Sequence, residues 1–524
     1  MKRKNVLYEK EASEGEKVFE SIGRKMNIPR VVIAGDRSSA GKTTICIGLL
    51  SALRARGFEV QGFKAGLDYI DPGFHTLVSG RPSRNLDGFL MPPATLREIF
   101  IRNCMGADIA VIEGVRGLYE GLNYSDDVGS TAQLAKILEC PVILVIDASS
   151  ITRSVAAVVN GYKSFDPEVQ ISGIILNNIG SERHGEKAQK AVEKYCDIKV
   201  IGKIPRKNEL KISMRHLGLV TATECKTRWN DFNSVLDKIK TAVEENVDIK
   251  VLFDIAKSAP ALKVPESRIF RSSRREEAKV RIAVAFDEAF NFYYQDTLDL
   301  LALEGAEIVY FSPIRDKRLP EGVDALYIGG GFPELYAKEL SSNTQMLDAM
   351  KLFYDNYGVI YAECGGLMYL MEQLEYKPLQ GLRVSPSGAC GGTGGARDGA
   401  ESNKGDCFKM CGVIKGSVRF GERRIINYVE GEFRKDCILG KKGRRFKGHE
   451  FHHSTIMLEG NSDFAFKLLR GEGVGDGMDG IITKNCLASF AHLHAASYTG
   501  FAKNFVASAR EQRSRTLPRT GSLS

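Results

Sequence analysis

Two stretches of this sequence carry residue types whose order suits them to chemistry rather than to packing. The first runs Gly35-Asp36-Arg37-Ser38-Ser39-Ala40-Gly41-Lys42-Thr43-Thr44, between an apolar β-branched run and a helical stretch from Thr43 to Gly57. There Gly41 lets the loop curl until successive N–H groups, from Ser39 through Thr44, and the helix N-terminus face an anion. Lys42 supplies a point charge for β- and γ-phosphates, and the Thr43 hydroxyl is a ligand for Mg²⁺. Asp36 stands where the usual pattern has its first glycine, so the strand-loop-helix setting carries the assignment. A metal-nucleotide site also needs a carboxylate at the end of a neighbouring strand, and Ala107–Gly114 supplies Glu113. Asn177, at the end of another apolar run, is placed either to read an adenine edge or to form a turn.

The second stretch is Val359-Ile360-Tyr361-Ala362-Glu363-Cys364-Gly365-Gly366-Leu367-Met368, where an apolar strand meets a helix through paired glycines. That is the layout of a nucleophile elbow: the sharp turn exposes sulfur, and the helix N-terminus is expected to lower its pKa. The remaining cysteines lack this setting. Gly330 and Gly331, after another apolar run, can offer backbone N–H groups to an oxyanion. A thiol also needs a base, and Phe490-Ala491-His492-Leu493-His494 sets two histidines on one face of an expected strand, of which His492 is preferred. His449-Glu450-Phe451-His452-His453 satisfies the H-E-x-x-H spacing of zinc proteases. That motif works only on a helix, and no helical apolar stripe surrounds it. Cys407 and Cys411 lack a second Cys/His pair at zinc spacing.

Alternating strands and helices must position these groups. Runs at Val31–Ala34, Val60–Lys64, Ile109–Glu113, Val142–Asp147, Ile171–Asn177 and Lys199–Ile204 predict a parallel sheet covered on both faces. The expected class is α/β, with a P-loop domain over 29–224, a helical linker over 225–279 and a second α/β domain over 280–507. The second series begins with Ile282–Phe286, Ile308–Phe311, Ala325–Ile328 and Val359–Tyr361. A charged N-terminal extension (1–28), a Gly/Ser-rich insertion (385–405) and a basic disordered tail (508–524) complete the expected plan.

The chain's 524 residues exceed one ordinary core, and 43% hydrophobic with 26% charged residues exclude a mainly disordered chain. A formal charge of +8 suits an anionic small ligand better than wholesale nucleic-acid coating. Eleven scattered cysteines read as reduced thiols. With no signal-peptide core and no apolar run of membrane-spanning length, the expected location is cytoplasmic.

Taken in order, Ser39–Thr44, Phe63–Pro72, Glu113–Gly121, Gly129–Gln133, Arg215–Leu219, Gly329–Glu334, Glu363–Gly366, Gly448–His452 and the terminal histidine segment resemble the cobyrinate a,c-diamide synthase family. The resemblance spans Pro29 to Phe505 and implies a dethiobiotin-synthetase-like P-loop domain followed by a class I glutamine amidotransferase-like domain. It implies ATP and Mg²⁺, L-glutamine as nitrogen donor and an anionic metallo-tetrapyrrole as substrate, with no nucleic-acid or membrane partner; a homodimer is compatible with it. Cys364 and His492 would then form a Cys-His dyad, because His494 stands where related triad enzymes carry Glu. Asp68, Tyr69, Asp71 and Glu120 match acidic and aromatic positions used around ATP, metal and substrate. Arg116 and Glu120 look more like the archaeal nickel-sirohydrochlorin a,c-diamide synthases of coenzyme F430 biosynthesis in methanogenesis; cobalamin-pathway members typically carry Asp at the latter place. Two alternatives stand beside this reading. One is a cobyric acid synthase-type amidase. The other is a partitioning-type P-loop ATPase with Arg37 at its signature-lysine place, which would leave Cys364 and His492 unexplained.

Overall fold

The computed structural model describes residues 23–206, 214–215, 218–228, 231–266, 269–270, 279–376 and 406–516. The chain divides into two compact units, Met1–Ile269 and Phe270–Ser524. The expected insertion at 385–405, most of the N-terminal extension and residues 517–524 lie outside the described residues.

The first unit is built on seven parallel strands. Their spatial order is Arg84–Leu86, Val60–Ala65, Ile109–Glu113, Arg30–Gly35, Val142–Asp147, Ile171–Ile179 and Val200–Pro205. Central strands read as unbroken apolar runs because helices cover both faces: Val31, Val32, Ile33 and Ala34 are all fully buried. The chain starts at the Arg30–Gly35 strand and winds outward in both directions, so loops at its carboxyl end open where ligands bind in such sheets. The short edge strand Arg84–Leu86 is not among the six runs read from the sequence.

Of the stretch expected as a linker over 225–279, the part up to Ile269 belongs to this unit. Helix Phe232–Asn246 packs against the helix that follows the phosphate loop, Lys42–Ala55; a Cβ on Gly48 would lie 2.4 Å from Val243 Cγ2, so glycine permits the approach. Helix Ile249–Lys257 follows it. The fully buried Arg30 then fastens the segment beyond it, donating to Pro260 O at 2.7 Å as well as to Leu138 O at 2.7 Å, Ile28 O at 3.0 Å and Glu139 O at 3.0 Å.

In the second unit, parallel strands Ala306–Phe311, Val280–Ala285, Ala325–Ile328, Val359–Glu363 and Cys486–Ser489 form one half of a mixed sheet. Antiparallel strands continue it: Met478–Thr483, Asp463–Arg470 and the long pair Ile414–Phe433 and Arg445–Leu458. The long pair has no counterpart in the sequence expectation. Glycines and charges break its alternation, and its second strand begins inside the basic run 441–447. Residues 508–516, expected as disordered tail, continue the helix Gly500–Thr516. Its Phe501, Phe505, Val506 and Ala509 are buried, while Arg510 donates to Glu304 O and Arg513 to Lys279 O, each at 2.7 Å. Among the described residues no helix is long and apolar enough to cross a membrane.

Replacing Arg30 by Met leaves four buried or part-buried carbonyls to find other donors. Arg30→Met is expected to destabilise the first unit by about 3 kcal/mol, read as a lowered urea midpoint for its unfolding. An unchanged midpoint would show that the clasp contributes nothing to stability.

Candidate active sites

The phosphate loop leaves strand Arg30–Gly35 and enters its helix through Gly41, whose φ of 98° is strained for any other residue. A Cβ there would also meet Asn177 Nδ2 at 2.2 Å. Asn177 donates to the Ala40 carbonyl at 2.8 Å, so its amide braces the loop. Lys42 reaches back to donate to the carbonyls of Arg37 and Arg116, and burial lowers its pKa. Ser39, at φ 63°, is exposed, and Thr44 is half-buried in the first helical turn. The Asp36 carboxylate, at the usual glycine place, is paired with Arg37 at 2.8 Å.

Thr43 is the meeting point of the cluster behind the loop. Its hydroxyl donates to Glu113 Oε1 at 2.6 Å and faces Asp71 Oδ2 at 3.3 Å. Glu113 ends its strand wholly buried; the same oxygen accepts from Lys64 Nζ at 2.7 Å, and the other pairs with His75 Nε2 at 2.7 Å. Lys64 also closes on Asp71. Burial would raise the Glu113 pKa, but Lys64 and His75 outweigh it and hold the carboxyl well below the usual range. Asp71 moves the opposite way, pushed up by burial and then by Asp68 and Glu113. Burial likewise opposes the charge on Lys64, yet its two carboxylates hold the ammonium well above its ordinary pKa. A hydroxyl and two carboxylates around one point are hard-oxygen donors that fit Mg²⁺.

Other expected substrate residues lie around this cluster. Asp68 Oδ1 caps helix Ile70–Ser79, accepting from the Ile70 amide at 2.7 Å and the Asp71 amide at 3.2 Å, with Tyr69 half-buried at the helix start. Arg116, at φ 48°, and Glu120 lie exposed on the loop whose Arg116 carbonyl receives Lys42. Glu120 accepts from the Gly117 amide at 3.0 Å. Sequence reasoning gave no role to Lys64 or His75. The available signal for Lys64 was a lysine inside a strand otherwise buried end to end.

In the second unit, Cys364 takes φ 48° and ψ −101° between strand Val359–Glu363 and helix Gly365–Leu370. Such a backbone costs about 1–3 kcal/mol, and it is held by Cys364 N donating to Ser489 O at 2.7 Å and Met368 N donating to Cys364 O at 3.0 Å. Both following glycines are required by contact: a Cβ on Gly366 would lie 2.2 Å from Ile328 O, and one on Gly365 3.0 Å from Gly331 N. A Cβ on Gly330 would meet His492 Cε1 at 2.5 Å. The Gly330–Gly331 backbone therefore touches both the elbow and His492.

The thiol donates to Phe451 O at 3.5 Å. The expected lowering of its pKa is reversed: burial pushes the Cys364 thiol up, and the Glu334, Glu363 and Asp479 carboxylates add to it, while the Gly365 N–H opposes them without prevailing. His492 is likewise buried; desolvation and then His452 lower it to about 3, so the imidazole is neutral. The His492 ring stacks on His449 with centroids 4.8 Å apart. His494 is engaged elsewhere, its Nδ1 accepting from the Ala496 amide at 3.1 Å and its Nε2 lying 3.8 Å from Asp296.

The H-E-x-x-H segment lies in strand Arg445–Leu458, so the one-turn helical spacing of its histidines is absent. The Glu450 carboxylate accepts from Asn427 Nδ2 and from the amides of Glu472 and Gly473, fixing the turn between two strands. Sequence reasoning also passed over Glu363, an acidic residue ending a buried strand directly before the candidate nucleophile.

Residues 31–220 match the CobQ/CobB/MinD/ParA nucleotide binding domain, and residues 281–499 match the CobB/CobQ-like glutamine amidotransferase domain. The chain is 51% identical over 500 residues to the cobyrinate a,c-diamide synthase of Methanosarcina barkeri, covering 94% of this chain and 98% of that protein. It is 48% identical over 500 residues to that of Methanosarcina acetivorans, with the same coverage. With the synthase of Archaeoglobus fulgidus it shares 43% identity over 491 residues, 93% of this chain and 99% of the other. A partitioning-type ATPase would account for the first domain match and leave the second without a purpose. Identity at these levels across nearly the whole of each chain means that this protein, with its nucleotide-binding and glutamine amidotransferase domains, belongs to the cobyrinate a,c-diamide synthase family.

Proposed function

We propose that the protein is an ATP- and glutamine-dependent amidoligase that converts the a and c acetate carboxylates of a metallo-tetrapyrrole into carboxamides. Nickel-sirohydrochlorin is the substrate favoured by the Arg116–Glu120 segment, with cobyrinate as a close or additional one. The observation that carries this reading is the presence in one chain of a phosphate loop backed by Thr43, Asp71 and Glu113 and of a cysteine elbow beside His492 and Gly330. Each half supplies what the other lacks. A carboxylate resists ammonia until its oxygen carries a leaving group, and ammonia must come from somewhere.

In the second unit, Cys364 Sγ attacks the glutamine carboxamide carbon while His492 accepts the thiol proton. The Gly330–Gly331 backbone receives the developing oxyanion. His492 returns the proton to the departing nitrogen, ammonia leaves, and water hydrolyses the thioester to glutamate. In the first unit, a substrate carboxylate oxygen attacks the γ-phosphorus of ATP, giving an acyl phosphate and ADP. Ammonia then displaces phosphate at the acyl carbon, leaving the carboxamide. Ser39 and Gly41 through Thr44 line the phosphate loop, Lys42 balances phosphate charge, and Asn177 holds the loop in shape. Thr43, Glu113 and Asp71 are the residues that would hold Mg²⁺, which when bound neutralises phosphate charge. Asp68, Tyr69, Arg116 and Glu120 face the substrate.

Incubation with MgATP, glutamine and either nickel-sirohydrochlorin or cobyrinate, followed by mass spectrometry, tests the reading directly. Each amidation exchanges OH for NH₂, and two such steps are expected. An unaltered mass with both substrates would sink it. The division of labour gives opposite expectations for two variants. Cys364→Ala should release no glutamate from glutamine but still amidate with added ammonium, because only nitrogen supply is removed. Glu113→Gln should release glutamate while amidation falls by about 10²-fold or more with either nitrogen source. Equal losses in both assays for both variants would contradict the assignment of the two sites.

A further inference from the structure

The dyad reading leaves His492 with no carboxylate two residues after it, yet a carboxylate faces it from another direction. Glu363 ends the strand that carries Cys364, its side chain buried, and its Oε2 lies 3.9 Å from His492 Nδ1. Its Oε1 accepts from the Leu493 amide at 2.9 Å, so the same carboxylate grips the backbone next to the base. Two hydroxyls fix it in place: Tyr327 OH donates to Oε2 at 2.8 Å and Tyr361 OH to Oε1 at 2.6 Å. Those two rings stack with centroids 5.3 Å apart and rest against Phe501 and Phe505. The carboxylate is thereby held by three donors, facing the imidazole nitrogen that an orienting acid serves in hydrolytic triads.

We propose that Glu363 is the positioning residue of His492, a third member of the glutaminase site supplied by the residue before the nucleophile rather than by one after the base. This rests on the amidotransferase reading above. Proton transfer from Cys364 to His492 creates an imidazolium inside a buried site. A carboxylate at Nδ1 favours that charge and holds the ring with its other nitrogen toward sulfur. A gap of 3.9 Å exceeds a hydrogen bond; catalytic hydrogen bonds commonly tighten only when substrate is bound.

The chemistry gives the arrangement a pH signature. Burial pushes Glu363 up to about 7, while the Tyr361 hydroxyl, the Leu493 amide and the Tyr327 hydroxyl restrain the rise. The other titratable groups around it are Tyr293, Cys364 and His492. The carboxylate form grows as pH rises through that value, so glutamine hydrolysis should rise with it.

The experiment measures glutamate release against pH and glutamine concentration in the full-length wild type, Glu363→Gln and the Tyr327→Phe/Tyr361→Phe double variant. Glu363→Gln keeps an oxygen acceptor and removes the charge. It should lower kcat by about 10-fold or more, leave KM for glutamine within about 2-fold, and abolish the rise near neutral pH. The double variant keeps the charge but removes two donors, so its rise should move to higher pH. Wild-type kcat with an unchanged pH profile in Glu363→Gln would overturn the proposal. So would an unmoved profile in the double variant, which stays informative if the Gln variant fails to fold. Equal glutamate release by wild type and Cys364→Ala would instead overturn the glutaminase reading, and this proposal with it.

Discussion

Taking a carboxylate out of water costs several kcal/mol unless something in the protein compensates, and the two units meet that cost differently at equivalent places. Glu113 and Glu363 each end a central parallel strand and are each buried. Glu113 has Lys64 and His75 against it and stays ionised. Glu363 has hydroxyls and an amide and is poised near pH 7. A permanently charged carboxylate suits a site for cations and phosphate. A carboxylate that changes charge close to neutrality suits a site where a proton must move. The difference is made by the neighbouring strands: one provides Lys64, the other Tyr327.

Placing either group at the carboxyl end of a strand requires the chain to turn sharply into a helix, and the glycines follow from that turn. Gly41 is needed twice, for its left-handed backbone and for the space that Asn177 fills. At the elbow the strained residue is Cys364 itself, so the two glycines after it serve only to let the helix lie against Ile328 and Gly331. Strain at the nucleophile persists because the Ser489 carbonyl and the first helical turn hold it from both sides. The Gly330–Gly331 backbone therefore lies directly against the elbow.

Much of this was legible in the residues. All six strands read for the first unit are present within two residues at each end, because parallel strands buried on both faces are continuous apolar runs. Gly41, Thr43, Glu113, Cys364 and His492 are local signals, each marked by its neighbours in sequence. The hairpin Ile414–Phe433 and Arg445–Leu458 was not legible, since glycines and charges interrupt its alternation. Nor was the pairing of Lys64 with Glu113, 49 residues apart, or of Glu363 with Leu493, 130 residues apart. The thiol pKa was misjudged for a physical reason: a helix N-terminus is visible in sequence, whereas desolvation depends on what closes over the sulfur. Here the cover includes Phe451, from a strand the sequence did not announce.

That desolvation bears on how the proposed glutaminase site behaves at rest. The Cys364 thiol is raised and the His492 imidazole is depressed, so the resting pair is neutral and an ion pair between them lies uphill. A preformed thiolate would hydrolyse glutamine whether or not an activated carboxylate awaited ammonia. A neutral pair reacts only when charge separation is compensated from outside it, and two compensating elements lie in contact with it. In the proposed mechanism the Gly330–Gly331 backbone meets the negative end once a substrate carbonyl is present, and Glu363 meets the positive end. The first operates only with glutamine bound, so the burial that makes Cys364 a poor nucleophile alone also ties its reactivity to an occupied site.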